Sequence, residues 1–140
     1  MQRLLEFSQH HLYLVGLAAL LLVALAVDEA LRRLRKYREL GPAQSVLLIN
    51  QGAAVLDLRA QAEFAAGHIM NARNIPLAEL DGRAGELEKF RGQPLLIYCK
   101  SGSDAGTAAA RLAKQGFQPL TVLKGGIAAW QQEHLPLERG

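Results

Sequence analysis

The sequence predicts an α/β domain whose parallel sheet is flanked by helices, preceded by one apolar helix near the amino terminus. Two patterns support this prediction. From Ala43 onward, short apolar runs alternate with helical segments, which is typical of the βαβ units that build parallel sheets. Before them, residues 12–27 read LYLVGLAALLLVALAV, a run without charge that is typical of a membrane-spanning helix.

Composition limits the number of domains. The chain has 140 residues, of which 50% are hydrophobic, and this leaves room for one compact domain plus an appendage. We divide it into an amino-terminal membrane anchor at residues 1–27, a basic amphipathic juxtamembrane linker at 28–42 and a domain at 43–140. The single cysteine cannot form an internal disulfide, so nothing requires an oxidising compartment.

The apolar run at 12–27 has three interpretations. Its 16 residues would form a helix of roughly 24 Å, slightly short of a bilayer core, and local thinning can close the gap. A buried helix of a soluble protein is one alternative, and a cleaved signal peptide, which Ala24 and Ala26 would permit, is another. A domain of about 100 residues is too small to wrap a helix that is apolar on every face.

The order of charges favours a retained anchor. Only Arg3, with Glu6 nearby, precedes the apolar run, whereas five basic side chains follow it, at Arg32, Arg33, Arg35, Lys36 and Arg38. Lysine and arginine resist translocation and are attracted to anionic lipid. We therefore expect a single-pass protein of the inner (cytoplasmic) membrane with its carboxyl-terminal domain in the cytoplasm, contacting lipid through residues 12–27 and the basic run 32–38. Residues 41–140 hold ten basic and nine acidic side chains, so no nucleic-acid partner is expected.

Residues 28–40, DEALRRLRKYREL, place Leu31, Leu34 and Leu40 among charges. This pattern predicts an amphipathic helix that leaves the membrane surface and ends at Gly41 and Pro42. A solvated basic spacer is the alternative interpretation.

The domain is predicted to consist of helices and strands in alternation. The helices are expected at 43–50, 61–66, 84–90, 104–115 and 127–132, and the strands at 54–58, 94–98 and 119–123, with a turn at Gly52 and a loop at 67–76.

Cys99 ends an apolar run and lies where a strand leads into a helix. Ligands of parallel sheets bind beyond the carboxyl ends of the strands. Backbone N–H groups of such a loop, together with the positive end of the next helix dipole, can stabilise a thiolate. Small residues follow the cysteine and let main-chain donors approach a ligand closely. A reactive loop thiol is therefore favoured over a buried structural cysteine.

Three segments resemble the rhodanese family of sulfurtransferase-type domains. LDLRAQAEFAAGHIMNARNIP at 56–76, IYCKSGSDAGTAAARLAKQGF at 97–117 and LKGGIAAW at 123–130 are similar to its D-x-R…E-F…G-H-I…N-I-P element, its cysteine loop and its G-G-x-x-x-W element. The resemblance implies a rhodanese-like sheet in which Cys99 accepts sulfane sulfur from a small donor as a persulfide. It further implies transfer to a thiol or protein acceptor, with substrate bound by Lys100, Ser101, Gly102, Ser103, Asp104 and Ala105.

Two positions depart from the family pattern. The family loop often reads C-x-x-G-x-R, and Asp104 stands where the arginine would be. A carboxylate there would repel an anionic substrate unless it points outward or caps the helix that begins at Ala105; Lys100 could restore some positive charge. Asn71 stands where glycine is common and can adopt a positive φ.

The other motif residues are predicted to support the scaffold. We expect Asp57 and Arg59 to bind loop backbone, and Glu63 and His68 to fix the next turn, with a general base at His68 as the alternative. Gly125 and Gly126 are expected to form a tight strand-to-helix junction. His10 and His11 are interpreted as interfacial residues. No cysteine or histidine pair has metal-ligand spacing, so we expect no metal and no cofactor.

Two functions besides membrane-tethered sulfur transfer are considered. The first is a catalytically weak or inactive rhodanese module that binds a protein, for instance a membrane protein, at the membrane surface. The second is a cysteine phosphatase of related fold. A phosphatase needs an arginine six residues after the cysteine to hold phosphate, and that position is Ala105.

Overall fold

A computed structural model describes the backbone of residues 1–140 and the side chains of residues 1–6 and 11–140, so the side chain of His10 lies outside the described residues. The chain forms two compact units, Met1–Arg35 and Lys36–Gly140.

The first unit contains helices α1 (Gln2–His10) and α2 (Leu12–Leu34). Helix α2 has 23 residues, none of them buried, and is long and apolar enough to cross a membrane. It extends beyond the apolar run because Arg32 and Arg33 pair with acidic residues one turn earlier, at 2.8 Å from Asp28 and 2.9 Å from Glu29.

The amphipathic helix predicted for residues 28–40 is correct only as far as Leu34. Helix α2 ends at Leu34, and Arg38–Leu40 forms strand β1 instead of the last turn of an amphipathic helix. The strand pairs in parallel with β5 (Leu120–Leu123), and the N–H of Lys124 donates to the carbonyl of Leu40 at 2.8 Å. Tyr37 packs against the core. Backbone pairing and burial at the sheet edge therefore outweigh the local helical pattern.

The second unit is built on a five-stranded parallel sheet in the order β1-β5-β4-β2-β3. Its other strands are β2 (Ala54–Asp57), β3 (Ala72–Asn74) and β4 (Leu95–Tyr98). The helices are α3 (Pro42–Asn50), α4 (Gln61–Ala66), α5 (Leu80–Arg83), α6 (Ser103–Lys114) and α7 (Gly126–Gln132), with 3₁₀ helices at Leu77–Glu79 and Ala84–Phe90.

The predicted parallel sheet with flanking helices is confirmed, with two local differences besides strand β1. Strand β3 lies inside the segment predicted to be a loop, because three residues are too short to show an alternating pattern and are specified by pairing with β2. The predicted helix at 84–90 is a 3₁₀ helix that follows α5 directly.

The core has two layers, one on each face of the sheet. Leu56, Ile97 and Val122 pack on one face with the buried residues of α6. Their strand neighbours Leu96 and Leu123 pack on the other face with α3 and α7. Alternate strand residues thus serve opposite layers, and the strand-to-helix loops lie at the carboxyl edge of the sheet.

Candidate active site

Cys99 follows β4 and begins the loop that leads to α6. Its side chain is buried, with 3% of the residue exposed, and belongs to the core layer on the α6 face. The N–H of Gly102 nevertheless donates to Sγ at 2.9 Å. The thiol is therefore buried, as expected for a core cysteine, while its sulfur accepts a hydrogen bond from the loop, as expected for a reactive one.

The loop closes tightly around the sulfur. Gly102 has a φ of +106° and directly precedes Ser103, where α6 begins. This places the amino end of a 12-residue helix beside the cysteine, where its dipole favours negative charge. Negative charge on Sγ is stabilised by both the hydrogen bond and the dipole.

The other predicted substrate-binding residues line the same loop and the first turn of α6. The side chains of Lys100, Ser101, Ser103 and Asp104 are exposed, and that of Ala105 is buried. The capping prediction for Asp104 is wrong: Gly102 is the N-cap, and no side chain caps the helix. Asp104 lies within the first turn, where a carboxylate interacts favourably with the helix dipole without capping.

A second loop, between β5 and α7, packs against the cysteine loop. Gly125 and Gly126 have φ values of +77° and +61°, which confirms the predicted tight junction. A Cβ at Gly126 would lie 2.6 Å from the carbonyl oxygen of Lys100 and closer still to that of Cys99. These two carbonyls accept hydrogen bonds from the first turn of α7, from Ile127 at 2.9 Å and Ala128 at 3.2 Å. The absence of a Cβ at the glycines therefore lets the backbone N–H groups of α7 come close enough to hydrogen-bond the backbone carbonyls of the cysteine loop.

A buried ionic network supports the strand ends beside the site. Asp57 is fully buried, forms an ion pair with Arg59 at 2.7 Å and accepts a hydrogen bond from the Tyr98 hydroxyl at 2.6 Å. Arg59 also donates to the carbonyl of Gly67 at 2.6 Å, which confirms the prediction that this motif binds loop backbone. Ile69 N–H donates to the Tyr98 oxygen at 3.1 Å. The network thus joins β2, β4 and the loop after α4.

Charge and burial keep Tyr98 neutral. Burial and the nearby Asp57 carboxylate raise the pKa of Tyr98 above its ordinary value. For Arg59, burial is the largest single influence and opposes the charged form, but the hydrogen bond and negative charge of Asp57, together with Tyr98, outweigh it and raise the pKa of the guanidinium. Sequence reasoning missed Tyr98, although a residue with a polar tip at the end of the aliphatic run LLIY signals a buried hydroxyl.

His68 fixes the turn after α4, as predicted. Its Nδ1 donates to the carbonyl of Phe64 at 2.9 Å, and its ring stacks on that of Phe64 at 3.9 Å. Its Nε2 lies 3.7 Å from the Glu138 carboxylate.

Asn71 has the expected positive φ, at +63°. Among the residues whose side chains are described, no group of three or more histidine, cysteine or acidic residues could hold a metal ion.

The fold and the site together define a class of protein: a parallel α/β domain with a cysteine loop at the carboxyl edge of its sheet. The Rhodanese-like domain family matches residues 42–133. The chain therefore belongs to the rhodanese-like family.

Relatives of the chain fall into two groups, with and without an assigned activity. YibN of Escherichia coli (strain K12), an uncharacterized protein, is 35% identical over 142 residues, covering 100% of this chain and 99% of YibN. Thiosulfate sulfurtransferase GlpE of Pseudomonas fluorescens (strain SBW25) is 34% identical over 99 residues, covering 69% of this chain and 86% of GlpE. These similarities support a sulfurtransferase-type function, and the similarity to YibN extends through the amino-terminal unit.

Solved structures agree with this assignment. A rhodanese-related protein from Thermoplasma volcanium superimposes with a TM-score of 0.68 and 30% identity, covering 74% of this chain and all of that one.

Proposed function

We propose that this protein is a membrane-tethered sulfurtransferase that carries sulfane sulfur as a persulfide on Cys99. The observation that carries the proposal is the hydrogen bond from Gly102 N–H to Sγ, in a loop that opens α6. Such a donor stabilises the thiolate that attacks and the charged persulfide that results.

The transfer has two displacement steps, and neither requires a redox partner. The Cys99 thiolate attacks the outer sulfur of a donor such as thiosulfate, the S–S bond of the donor breaks, and sulfite leaves with the electron pair. An acceptor nucleophile, either a thiolate or cyanide, then attacks the outer sulfur of the persulfide. The sulfur–sulfur bond at Cys99 breaks, and its electron pair returns to Sγ as the thiolate.

The tether is the second part of the proposal. An α2 that spans the bilayer, followed by the basic residues at 32–38, would hold the domain at the cytoplasmic face of the inner membrane. There it would deliver sulfur to a thiol or protein acceptor. A carboxyl-terminal reporter fused to the full chain is expected to be active in the cytoplasm, and activity confined to the periplasmic side would overturn this orientation.

A rhodanese module that binds a partner without transferring sulfur is the second candidate. Asp104 favours it, because an exposed carboxylate in the first turn of α6 opposes the approach of an anionic donor.

The rate of sulfur transfer by the full chain in detergent distinguishes a sulfurtransferase from a module that only binds a partner. With thiosulfate and cyanide as substrates, we expect thiocyanate to form, and Cys99→Ser to reduce its rate on the order of 10³-fold or more, because the nucleophile is lost. Asp104→Arg is the matched variant: it keeps Cys99 and is expected to lower the KM for thiosulfate about threefold to tenfold by reversing a nearby charge. A native chain without turnover, made active by Asp104→Arg, would favour the binding module.

A further inference from the structure

We propose that Lys124 supplies the positive charge that governs the access of anions to Cys99. The inference rests on the proposed function in one respect: the anions of interest are sulfur donors. Lys124 lies outside the cysteine loop and was not among the site residues expected from the sequence.

Sheet register places Lys124 beside the cysteine. Strands β4 and β5 pair in parallel, with Ile97 opposite Val122. Cys99 and Lys124 each lie two residues after this pair and are the first residues beyond the ends of β4 and β5. Cys99 belongs to the core layer on the α6 face together with Ile97 and Val122. Because neighbouring parallel strands end side by side at the carboxyl edge of the sheet, Lys124 begins the loop next to the one that Cys99 begins.

The backbone of Lys124 is held firmly at this position. Its N–H donates to the carbonyl of Leu40 at 2.8 Å, at the end of the edge strand β1. The next residue, Gly125, has its nitrogen 3.3 Å from where a Cβ of Gly102 would lie. Lys124 is therefore one residue away from direct contact with the loop that holds Sγ.

The side chain of Lys124 is available to a ligand. It is exposed, and no ion pair involves it among the residues whose side chains the structure describes. A lysine ammonium acts as a mobile point charge on a four-carbon stem, so it can follow a small anion into the site.

Lys124 also accounts for how the site can accept anions despite Asp104. Asp104 is the one carboxylate in the first turn of α6, and the two loops at this edge of the sheet contribute two cations, Lys100 after β4 and Lys124 after β5. The local balance of these three side chains is positive, and a positive site attracts a thiosulfate dianion more strongly than a neutral donor.

Alkylation of Cys99 measures this charge without requiring sulfur transfer. Iodoacetate and iodoacetamide both react with the thiolate by displacement of iodide, and they differ in charge. The ratio of their rate constants at one pH therefore reports the local potential, independently of the fraction of thiolate. Because the chain has one cysteine, every thiol adduct is at Cys99, and the same reaction with Cys99→Ser measures alkylation of other side chains.

We expect Lys124→Gln to lower the iodoacetate-to-iodoacetamide rate ratio about threefold to tenfold at low salt, with a smaller decrease at high salt. Lys114→Gln is the matched control, because Lys114 is exposed at the other end of α6, and it should leave the ratio within about 1.5-fold. In turnover, Lys124→Gln should raise the KM for thiosulfate with little change in kcat.

The outcomes separate this proposal from that of sulfur transfer. An unchanged ratio in Lys124→Gln overturns the role of Lys124, even where Cys99 still accepts sulfur. A lowered ratio in a chain that accepts no sulfur keeps the role of Lys124 in anion access and contradicts the proposed activity. A decrease of the same size in Lys114→Gln also overturns the proposal, since the effect would then reflect overall charge.

Discussion

Gly126→Ala is expected to destabilise the domain by about 4 kcal/mol or more, which approaches the whole stability of a small domain. The new Cβ would meet the carbonyl oxygens of Cys99 and Lys100, the latter at 2.6 Å. Both are backbone atoms that accept hydrogen bonds from α7, so they cannot move away without breaking those bonds. A φ of +61° adds strain for any residue with a side chain.

Denaturant unfolding of the full chain in detergent would measure this loss. Gly82→Ala is the matched control, because Gly82 lies in α5 with nothing within 4 Å of a Cβ, and it should be neutral or stabilising by up to about 1 kcal/mol. A Gly126→Ala chain as stable as the native one would contradict the close packing of the two loops.

Asp57→Asn is expected to cost about 3–5 kcal/mol of unfolding free energy, because it removes one member of a buried ion pair. The Arg59 side chain is 9% exposed and would keep its charge without a counter-charge. The Tyr98 hydroxyl would also lose its charged acceptor. Since this network joins β2 to β4, the loss is expected to loosen β4, the strand that directly precedes Cys99.

Two further variants provide a scale for the loss of unfolding free energy in Asp57→Asn, measured by denaturant unfolding. Asp81→Asn breaks an exposed pair, Asp81 with Arg111 at 3.8 Å, and should cost less than about 1 kcal/mol. Tyr98→Phe removes one hydroxyl from the buried network and should cost about 1–3 kcal/mol. If Asp57→Asn cost no more than Asp81→Asn, the network would not stabilise the fold as described.

The sequence predicted the parts of the fold that repeat a strong pattern. Buried strands such as LLIY at Leu95–Tyr98 and the amphipathic α6 are visible as apolar periodicity, and alternation of the two implies a parallel sheet. The edge strand Arg38–Leu40 was missed because its three residues REL carry charges typical of a helix. Only pairing with a strand more than 80 positions later in the chain specifies it.

The candidate site was predictable in composition but less so in geometry. Cys99 and the small residues after it are evident in one segment, and the glycine pair at 125 and 126 in another. The contact between these two segments is not evident from the sequence, because it depends on which strands are neighbours in the sheet. The same is true of Tyr98 and Lys124, whose roles arise from partners on other strands. Local propensity likewise could not decide that Gly102, with its positive φ, would cap α6 in place of Asp104.

The position of the cysteine also has a consequence for its chemistry. Sγ is nearly closed to solvent, so a persulfide formed there would be protected from bulk nucleophiles while its charge is held by Gly102 N–H. Release would then depend on an acceptor that fits the loop. A small nucleophile such as cyanide or a small thiol, or a protein acceptor that fits the loop, would then be favoured over bulky nucleophiles in solution.

The central claim, that Cys99 carries sulfur, is tested most directly by intact-mass analysis of the full chain after incubation with thiosulfate. We expect the native chain to gain the mass of one sulfur atom, the gain to be absent in Cys99→Ser, and cyanide to remove it. A folded native chain that gains no sulfur, or a gain that persists in Cys99→Ser, would contradict the account.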